Sequence, residues 1–493
     1  MLSKVIKLLF SEPKYKNWLQ EANFENCKLK RKEFGEFLAS YLVGENDGFV
    51  LNLNGAWGTG KTEFCKRLYS HLITQNHPTI YINSWESDFS KEPLTVVSSE
   101  LLRQMEKLHS DIIGLDETTK IKEVLGKTLK SLAVGIAGGV SYKLIGESSA
   151  GTAVMQQLVG QDADPKTFID NLASNYSEQV DSIALIRESL TDLAVALEND
   201  ISATLPVVVI VDELDRCRPS YAIEMLEVIK HFFTTEKFVF IVATDTQQLC
   251  QSIKNIYGND FDSNQYLKRF IDRSATLPLP DISEYIKTIE FDCSGFDVLS
   301  VYPIVTGNLQ NNIIMVLSAL SNAFDLKVRD VDQLLNKVLS CLRAAVSYKN
   351  TSNKDQAINL PVLICGLIEY EKNLSSYSDR TSRRESRPKL VNEQVAFDEN
   401  ISISLLLNIC LYGITEQEEL VHSHMGESLH YALPRGSLMS GDNWETEGVN
   451  VSARHICNRI SNINSQAFTG QNNMKIWMWP DYKKVIELAG YLD

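Results

Sequence analysis

The sequence lacks the paired cysteines and the short catalytic signatures that identify many classes of protein. The nine cysteines are scattered singly, with no C-x-x-C pair, at positions 27, 65, 217, 250, 293, 341, 365, 410 and 457. This spacing, without a secretory signal, predicts reduced thiols in a cytoplasmic protein and implies no structural zinc site. H-E-x-x-H, G-x-S-x-G and zinc-deaminase patterns are also absent, so the sequence indicates no nuclease, protease or deaminase centre.

Positive charge and long apolar runs are scarce as well. There are 48 basic and 63 acidic residues, which gives a net charge of −15. This charge argues against a surface that binds nucleic acid or anionic lipid broadly, but it does not exclude a local basic patch. The candidate for a membrane span, residues 131–142, is only twelve residues long and contains three glycines. A span needs about 20 apolar residues, so the stretch favours a soluble or interfacial insertion.

What the sequence does contain is a complete phosphate-binding pattern. The pattern G-x-x-x-x-G-K-[ST] is matched in every position by Gly55, Ala56, Trp57, Gly58, Thr59, Gly60, Lys61 and Thr62, after an apolar run at 48–54 that predicts a buried strand. Glycines let backbone N–H groups turn toward phosphates, and the start of a helix favours anions. We predict that this loop and Glu63, at the start of the helix 63–71, bind ATP, with Lys61 on the β- and γ-phosphates and Thr62 on Mg²⁺.

A second aliphatic strand ends in acidic residues. Residues 207–211 are all valine or isoleucine, and Asp212 and Glu213 follow directly. In a parallel sheet, ligands lie outside the carboxyl ends of the strands, so Asp212 is predicted to hold Mg²⁺ through water. Glu213 is the first candidate for the base that deprotonates the attacking water, and Asp215 is a second candidate.

Further strands and helices alternate along the chain. Strands are predicted at 81–83, 238–243 and 275–277, with a helix at 219–233, and Asp245 follows the strand at 238–243 as a candidate sensor of the γ-phosphate. This alternation predicts an α/β fold with a mostly parallel sheet.

Several strings together resemble the KAP family of P-loop NTPases over roughly residues 30–340. They are the phosphate loop with its Trp57, Ile82-Asn83-Ser84-Trp85, Asp212-Glu213-Leu214-Asp215-Arg216-Cys217, Tyr266-Leu267-Lys268-Arg269-Phe270 and Leu277-Pro278-Leu279-Pro280. The resemblance implies an ATPase core of the additional-strand class, with the strand at Tyr81 as the extra strand between the two nucleotide motifs, and a helical region after the core. Glu213 stands where the family usually has aspartate, which favours it as the base.

Hydrolysis in such sites is often completed by a cationic side chain. Arg269 and Arg273 are predicted on a helix near the sheet edge, where either is a candidate to reach a neighbouring subunit. Arg329 is the candidate within the same chain, on a helical lid, and Arg216 is interpreted as structural. An arginine supplied by a neighbour predicts a homo-oligomer.

The predicted organisation has five parts. They are an N-terminal helical segment (1–46), a P-loop NTPase core (47–280) with an insertion at about 110–178, a helical lid (281–371), a linker (372–400) and a mainly helical C-terminal domain (401–493) whose aromatic segment 477–482 is interpreted as packed. We predict a cytoplasmic, Mg²⁺-dependent ATPase acting as a switch or assembly engine. The resemblance implies bacterial anti-phage or anti-plasmid defence with a separate effector protein; the alternative is a non-hydrolysing, nucleotide-gated scaffold.

Overall fold

The structure is a computed structural model, and it describes residues 13–44, 48–90, 93–108, 183–184, 186–199, 201–232, 234–303, 307–423, 426–439, 451–470 and 473–491. The chain forms two compact units, Met1–Leu279 and Pro280–Asp493. The predicted insertion at 110–178, with its apolar stretch 131–142, lies outside the described residues. Among the helices within these ranges, none combines the length and the apolar character that crossing a bilayer requires.

The first unit is built on a parallel five-stranded sheet with the order β2-β3-β4-β1-β5. The strands are β1 (Phe49–Asn54), β2 (Thr79–Asn83), β3 (Val207–Asp212), β4 (Phe238–Thr244) and β5 (Arg273–Thr276). Strands β3 and β4 are buried along their whole length, as expected for aliphatic and aromatic runs covered on both faces. The predicted α/β fold with a parallel sheet is confirmed.

The position of the extra strand differs from the prediction. The strand at Tyr81 lies between the two nucleotide motifs along the chain, but in the sheet β2 is the outer neighbour of β3. The strand between β1 and β3 is β4, which pairs with both. Sequence order cannot fix this arrangement, because a crossover connection allows a later strand to insert between earlier ones.

Helices flank the sheet, and their starts follow local rules. They are α1 (Trp18–Glu21), α2 (Lys32–Val43), α3 (Lys61–Thr74), α4 (Pro93–Leu108), α5 (Pro219–Lys230), α6 (Thr246–Tyr257) and α7 (Ser263–Leu267), with a further helix at 186–199. Pro219 occupies the first turn of α5, where its missing N–H costs no hydrogen bond. Asp245 and Asp262 cap α6 and α7 with their carboxylates, as expected for aspartate at this position.

The second unit is mainly helical. Its helices are α8 (Ile282–Lys287), α9 (Leu309–Ala323), α10 (Val328–Ser352), α11 (Leu360–Glu371), α12 (Ser375–Asp379), α13 (Ile403–Gly413), α14 (Val451–Phe468) and α15 (Trp479–Ala489). Short strands β6 (Ser300–Tyr302), β7 (Asp355–Asn359) and β10 (Met474–Ile476) form a parallel sheet, and β8 (Gln417–Ser423) and β9 (Gly426–Ala432) form a hairpin. One hydrophobic core runs from Ile282 to Ala489.

The predicted linker at 372–400 is largely exposed or half-buried, but it is anchored at a few buried positions. Tyr377 and Leu390 belong to the core of the second unit, and Arg380 forms a buried ion pair with Glu369 at 2.7 Å. The segment has few hydrophobic residues, but a charge that finds a buried partner need not face water. The interpretation of the aromatic segment as packed is confirmed, since Trp477 and Trp479 are buried.

Candidate nucleotide site

The phosphate loop joins the end of β1 to the start of α3, as the sequence predicts. Gly58 and Gly60 adopt φ values of +78° and +85°, in the region that other residues enter only with strain. A side chain at Gly55 would come within 3.0 Å of Lys61 Cγ. The glycines are therefore required by the path of the loop, which places residues 55–60 at the carboxyl edge of the sheet ahead of the N-terminus of α3.

Lys61 is buried in this loop beside Asp215. Its Nζ lies 2.5 Å from the Gly55 carbonyl oxygen and 3.7 Å from Asp215 Oδ2. The same Oδ2 accepts a hydrogen bond from the indole N–H of Trp57 at 2.5 Å. Asp215, the second candidate for the base, is thus engaged by a cation and by the loop.

Asp212 and Thr62 provide hard oxygen donors at the end of β3. Asp212 is fully buried and accepts hydrogen bonds from the Tyr81 hydroxyl at 2.9 Å and from the Glu213 backbone N–H at 2.8 Å. Burial raises the pKa of Asp212, and these hydrogen bonds oppose the rise. A threonine hydroxyl beside carboxylates suits Mg²⁺, which takes its remaining ligands from phosphates and water. Among the described residues no cluster of three His, Cys, Asp or Glu side chains could hold a metal alone.

Glu213 directly follows β3 and adopts a left-handed backbone conformation, with φ at +61°. Such a conformation is costly for a residue with a side chain and is concentrated at functional sites. Its Oε1 accepts a hydrogen bond from the Thr62 hydroxyl at 3.3 Å and pairs with Arg216 Nη1 at 3.0 Å. The left-handed turn directs the strand end into a 3-10 turn (Leu214–Arg216) and keeps Glu213 close to Thr62.

Asp245, the candidate phosphate sensor, connects β4 to the loop. One carboxylate oxygen accepts from the backbone N–H groups of Gln247 and Gln248, and the other accepts from the Trp57 backbone N–H at 3.1 Å. Trp57 is therefore held through its backbone by Asp245 and through its indole by Asp215. Glu63 is exposed in the first turn of α3, where its carboxylate pairs with Lys66.

Two of the three candidate arginines, Arg269 and Arg273, do not lie on the helix that the sequence predicted for them. Arg269 lies in a turn after α7, and Arg273 is the first residue of β5 opposite Leu51, so the helix predicted for both is wrong. The cause is that residues 273–276 pair with β1 as a short edge strand. Arg273 lies at the amino end of the sheet, with Nη1 2.5 Å from the Tyr41 hydroxyl. Arg329 is exposed in the first turn of α10 in the second unit.

Two residues near the site escaped the sequence analysis. One is Tyr81, the donor to Asp212. The other is Arg31, which is buried, with Nη2 2.7 Å from the Pro278 carbonyl oxygen and Nη1 3.5 Å from that of Gly60. Burial lowers the pKa of Arg31 to about 10. Only the apolar pattern around Phe34, Leu38 and Leu42 hinted that this N-terminal segment packs on the core.

The parallel sheet, the left-handed glycine loop and the acidic end of β3 define a P-loop NTPase, a class that binds nucleotides at this edge. Comparison with known families narrows the class. Residues 31–344, well over half of the chain, match the KAP family P-loop domain, and the protein belongs to this family.

A relative and a solved structure complete the comparison. Over 237 residues the chain is 23% identical to the Phage T7 exclusion protein of Escherichia coli (strain K12), a match covering 47% of this chain but 30% of that protein. The structure of the Aeropyrum pernix ORC2 protein in ADPNP and ADP complexes aligns over 98% of this chain and 90% of that chain, at 12% identity and a TM-score of 0.30.

Proposed function

We propose that this chain is a Mg²⁺-dependent ATP hydrolase that works as a switch or assembly engine. The observation that carries the proposal is the convergence of Lys61, Thr62, Asp212 and Glu213 on one edge of the sheet. A cation, a hydroxyl and two carboxylates with different neighbours are the groups that phosphoryl transfer to water needs.

Each residue has a separate task in the proposed reaction. Lys61 neutralises charge on the β- and γ-phosphates while the loop N–H groups orient them. Water attacks the γ-phosphorus, the bond to the bridging oxygen breaks, and Glu213 accepts the proton of the water. Thr62 and Asp212 would hold Mg²⁺, which would neutralise charge at the phosphates when bound.

Two substitutions test this assignment. Lys61→Ala should weaken ATP binding, whereas Glu213→Gln should keep ATP bound and reduce turnover about 100-fold or more, because it removes only the proton acceptor. Binding of a fluorescent ATP analogue and phosphate release measure the two effects. Glu198→Gln, an exposed carboxylate paired with Lys237, is the control. Wild-type turnover in Glu213→Gln would remove Glu213 from the mechanism and make Asp215 the base to test.

A non-hydrolysing, nucleotide-gated scaffold is the second candidate. It is favoured by the engagement of both candidate bases, Glu213 with Arg216 and Asp215 with Lys61. Single-turnover measurement with excess protein separates the two functions. A scaffold would bind ATP and release it intact, whereas the ATPase would convert the bound ATP to ADP.

The proposal includes a homo-oligomer in which a neighbour supplies an arginine. Arg269 is exposed, which suits a residue presented to another protomer. Arg273 instead contacts Tyr41 at the amino end of the sheet, opposite the end that carries the phosphate loop. A Lys61→Ala chain that keeps its arginines should restore hydrolysis to an Arg269→Ala/Arg273→Ala chain. Absence of rescue, with a monomeric mass in ATP and Mg²⁺, would exclude the oligomer and leave Arg329 as the candidate.

The biological role proposed is bacterial defence against phages or plasmids, in the cytoplasm and with a separate effector protein. The similarity to the Phage T7 exclusion protein supports the role. Nucleic acid remains a partner to test and is not indicated by the net charge, and no membrane association is proposed. Phage plating on cells that carry the wild-type chain, the Lys61→Ala chain or neither chain tests the defence role. We expect the wild-type chain to protect the cells and the Lys61→Ala chain to lose this protection. Equal plating on cells with the wild-type chain and on cells without it would reject the role.

A further inference from the structure

Arg31 is a buried cation that packs against the phosphate loop. It is 3% exposed, Nη2 donates to the Pro278 carbonyl oxygen at 2.7 Å, and Nη1 lies 3.5 Å from the Gly60 carbonyl oxygen. The Gly60 oxygen also accepts the first hydrogen bond of α3, from the Phe64 N–H at 3.0 Å. Because a trans peptide points its carbonyl and its N–H to opposite sides, the Lys61 N–H faces away from Arg31, ahead of the helix where an anion binds.

The charge of Arg31 has no counter-ion in the part of the chain that the structure describes. Its two partners are neutral carbonyl groups, its Nε is buried without a hydrogen-bond partner, and no described carboxylate pairs with it. Lys61, the other cation of the loop, differs because its Nζ lies 3.7 Å from Asp215 Oδ2. A buried charge without an opposite charge is costly, and the helix dipole opposes a cation beside a first turn. Both costs fall when an anion binds at the start of α3.

We propose that the polyphosphate of the bound nucleotide is the counter-ion of Arg31, which makes this buried guanidinium a binding and positioning residue of the nucleotide site. This inference rests on the proposed function, because it concerns the same nucleotide. The guanidinium acts across the peptide between Gly60 and Lys61. It attracts the polyphosphate by its charge, and its contact with the Gly60 carbonyl keeps the Lys61 N–H directed at the phosphates. The chemistry recognised is the phosphate chain and not the base, so inorganic tripolyphosphate is the probe.

Two substitutions separate the charge of Arg31 from its hydrogen bonds. Arg31→Gln keeps a donor for the Pro278 carbonyl oxygen but loses the charge, and should weaken the binding of both tripolyphosphate and ATP about tenfold. Arg31→Lys keeps the charge and should stay within about threefold of wild type. Lys28→Gln removes an exposed charge three positions earlier and should change neither affinity, because solvent screens that charge. Isothermal titration calorimetry on the full chain at a fixed Mg²⁺ concentration measures all four proteins.

Three results of the titration would overturn the inference. The first is an Arg31→Gln chain that binds tripolyphosphate as tightly as wild type. The second is a loss of ATP affinity with unchanged tripolyphosphate affinity, since Arg31 would then act on the nucleoside. The third is equal weakening in Arg31→Lys and Arg31→Gln, since geometry and not charge would then decide.

A second readout uses the wild-type chain and does not depend on the folding of a variant. Tripolyphosphate should slow hydrogen–deuterium exchange several-fold in the peptide spanning residues 28–35 as well as in residues 55–62, because the bound anion holds Arg31 in place. Slower exchange in residues 55–62 alone would contradict the role of Arg31.

The Lys61→Ala chain distinguishes this inference from the proposed function. If wild type binds ATP and Lys61→Ala weakens this binding while Arg31→Gln does not, the nucleotide site stands and only the role of Arg31 is rejected. If wild type binds neither ATP nor tripolyphosphate, the proposed function fails together with the inference.

Discussion

The two units of this protein each contain a network of opposite charges, and the two networks are built differently. In the second unit, the side chains of Glu369 and Arg380 are 0% and 1% exposed and form two hydrogen bonds at 2.7 and 2.8 Å. Ser376 donates to Glu369, Arg380 donates to the Ser386 carbonyl oxygen, and its guanidinium stacks on Trp479 at 4.2 Å. Each charge is matched inside the unit.

At the nucleotide site the charges share partners, and the network reaches solvent through Arg216 and Trp57, whereas Lys61, Asp215 and Glu213 are at most 9% exposed. Asp215 lies between Lys61 and Trp57, and Glu213 lies between Thr62 and Arg216. Trp57 is 51% exposed. A closed network resists any change because each lost partner leaves a buried charge, whereas an open one can exchange partners with water or ligand at small cost. The difference separates a network that maintains a fold from one whose partners can change when a nucleotide binds.

Breaking the closed network should give the largest effect. Arg380→Met leaves Glu369 buried without a cation and should lower the free energy of unfolding of the second unit by about 3–5 kcal/mol. Chemical denaturation of the full chain measures the loss. Arg383→Met removes an exposed arginine paired with Glu416 and should cost about 1 kcal/mol or less. Similar losses in the two variants would show that the buried pair is not special.

Replacing one tryptophan by phenylalanine in each network, Trp477 or Trp57, compares the two networks through the same chemical change. Trp477 Nε1 donates to Gln356 at 3.0 Å in a buried position, and Trp57 Nε1 donates to Asp215 at the exposed edge. Trp477→Phe should cost about 1–3 kcal/mol because a buried amide loses its donor. Trp57→Phe should cost less than about 1 kcal/mol, since the Trp57 side chain is half exposed and Asp215 keeps Lys61 as a partner. Equal shifts in the unfolding midpoint would contradict the distinction.

Asp245 belongs to the open network but also caps a helix, so an intermediate effect is expected. Asp245→Ala should cost about 1–2 kcal/mol, from the lost cap of α6 and the unpaired Trp57 N–H. It should also weaken nucleotide binding, measured by titration with a fluorescent analogue. Asp262→Ala removes a cap at α7 that does not touch the loop. A parallel loss of affinity in that control would show that the effect is general destabilisation.

The smallest effect is expected at Asp212, and it has the opposite sign. Burial raises the pKa of Asp212 in the folded protein above its ordinary value of 3.8. Above the raised pKa the ionised carboxylate lowers the free energy of unfolding, and this destabilisation disappears as the pH falls below 3.8. Asp212→Asn should therefore raise the melting temperature at pH 7, and the gain should shrink toward pH 4. A melting temperature that falls at pH 7 would mean that hydrogen bonding outweighs burial.

Local patterns explain what the sequence could predict. Five consecutive β-branched residues before Asp212 indicate a strand buried on both faces, and the glycine spacing before Lys61 indicates a loop that curves around phosphate. Parallel strands then bring Asp212, Glu213 and Lys61 to one edge. These inferences need only neighbours in sequence and the geometry of a parallel sheet.

The residues that were missed depend on distant partners. Arg31 donates to the Pro278 carbonyl oxygen across 247 positions of the chain, and Arg380 finds Glu369 within a segment that composition alone marks as exposed. Strand β5, Arg273–Thr276, was predicted two residues late, at 275–277, because it has no apolar run and its start is set by pairing with β1. Charge suggests solvent, and only the folded chain shows where a charge has a buried partner.

The contact of Arg31 with Pro278 also has a mechanical meaning. The chain leaves the first unit just after Pro278, and the Arg31 guanidinium donates to the Pro278 carbonyl oxygen and lies 3.5 Å from that of Gly60 in the phosphate loop. Tension on the chain at residue 280 would be borne first by this bond, directly behind the turn that shapes the loop. A force that pulls along the polypeptide is therefore transmitted to the nucleotide site before it reaches the strands of the sheet.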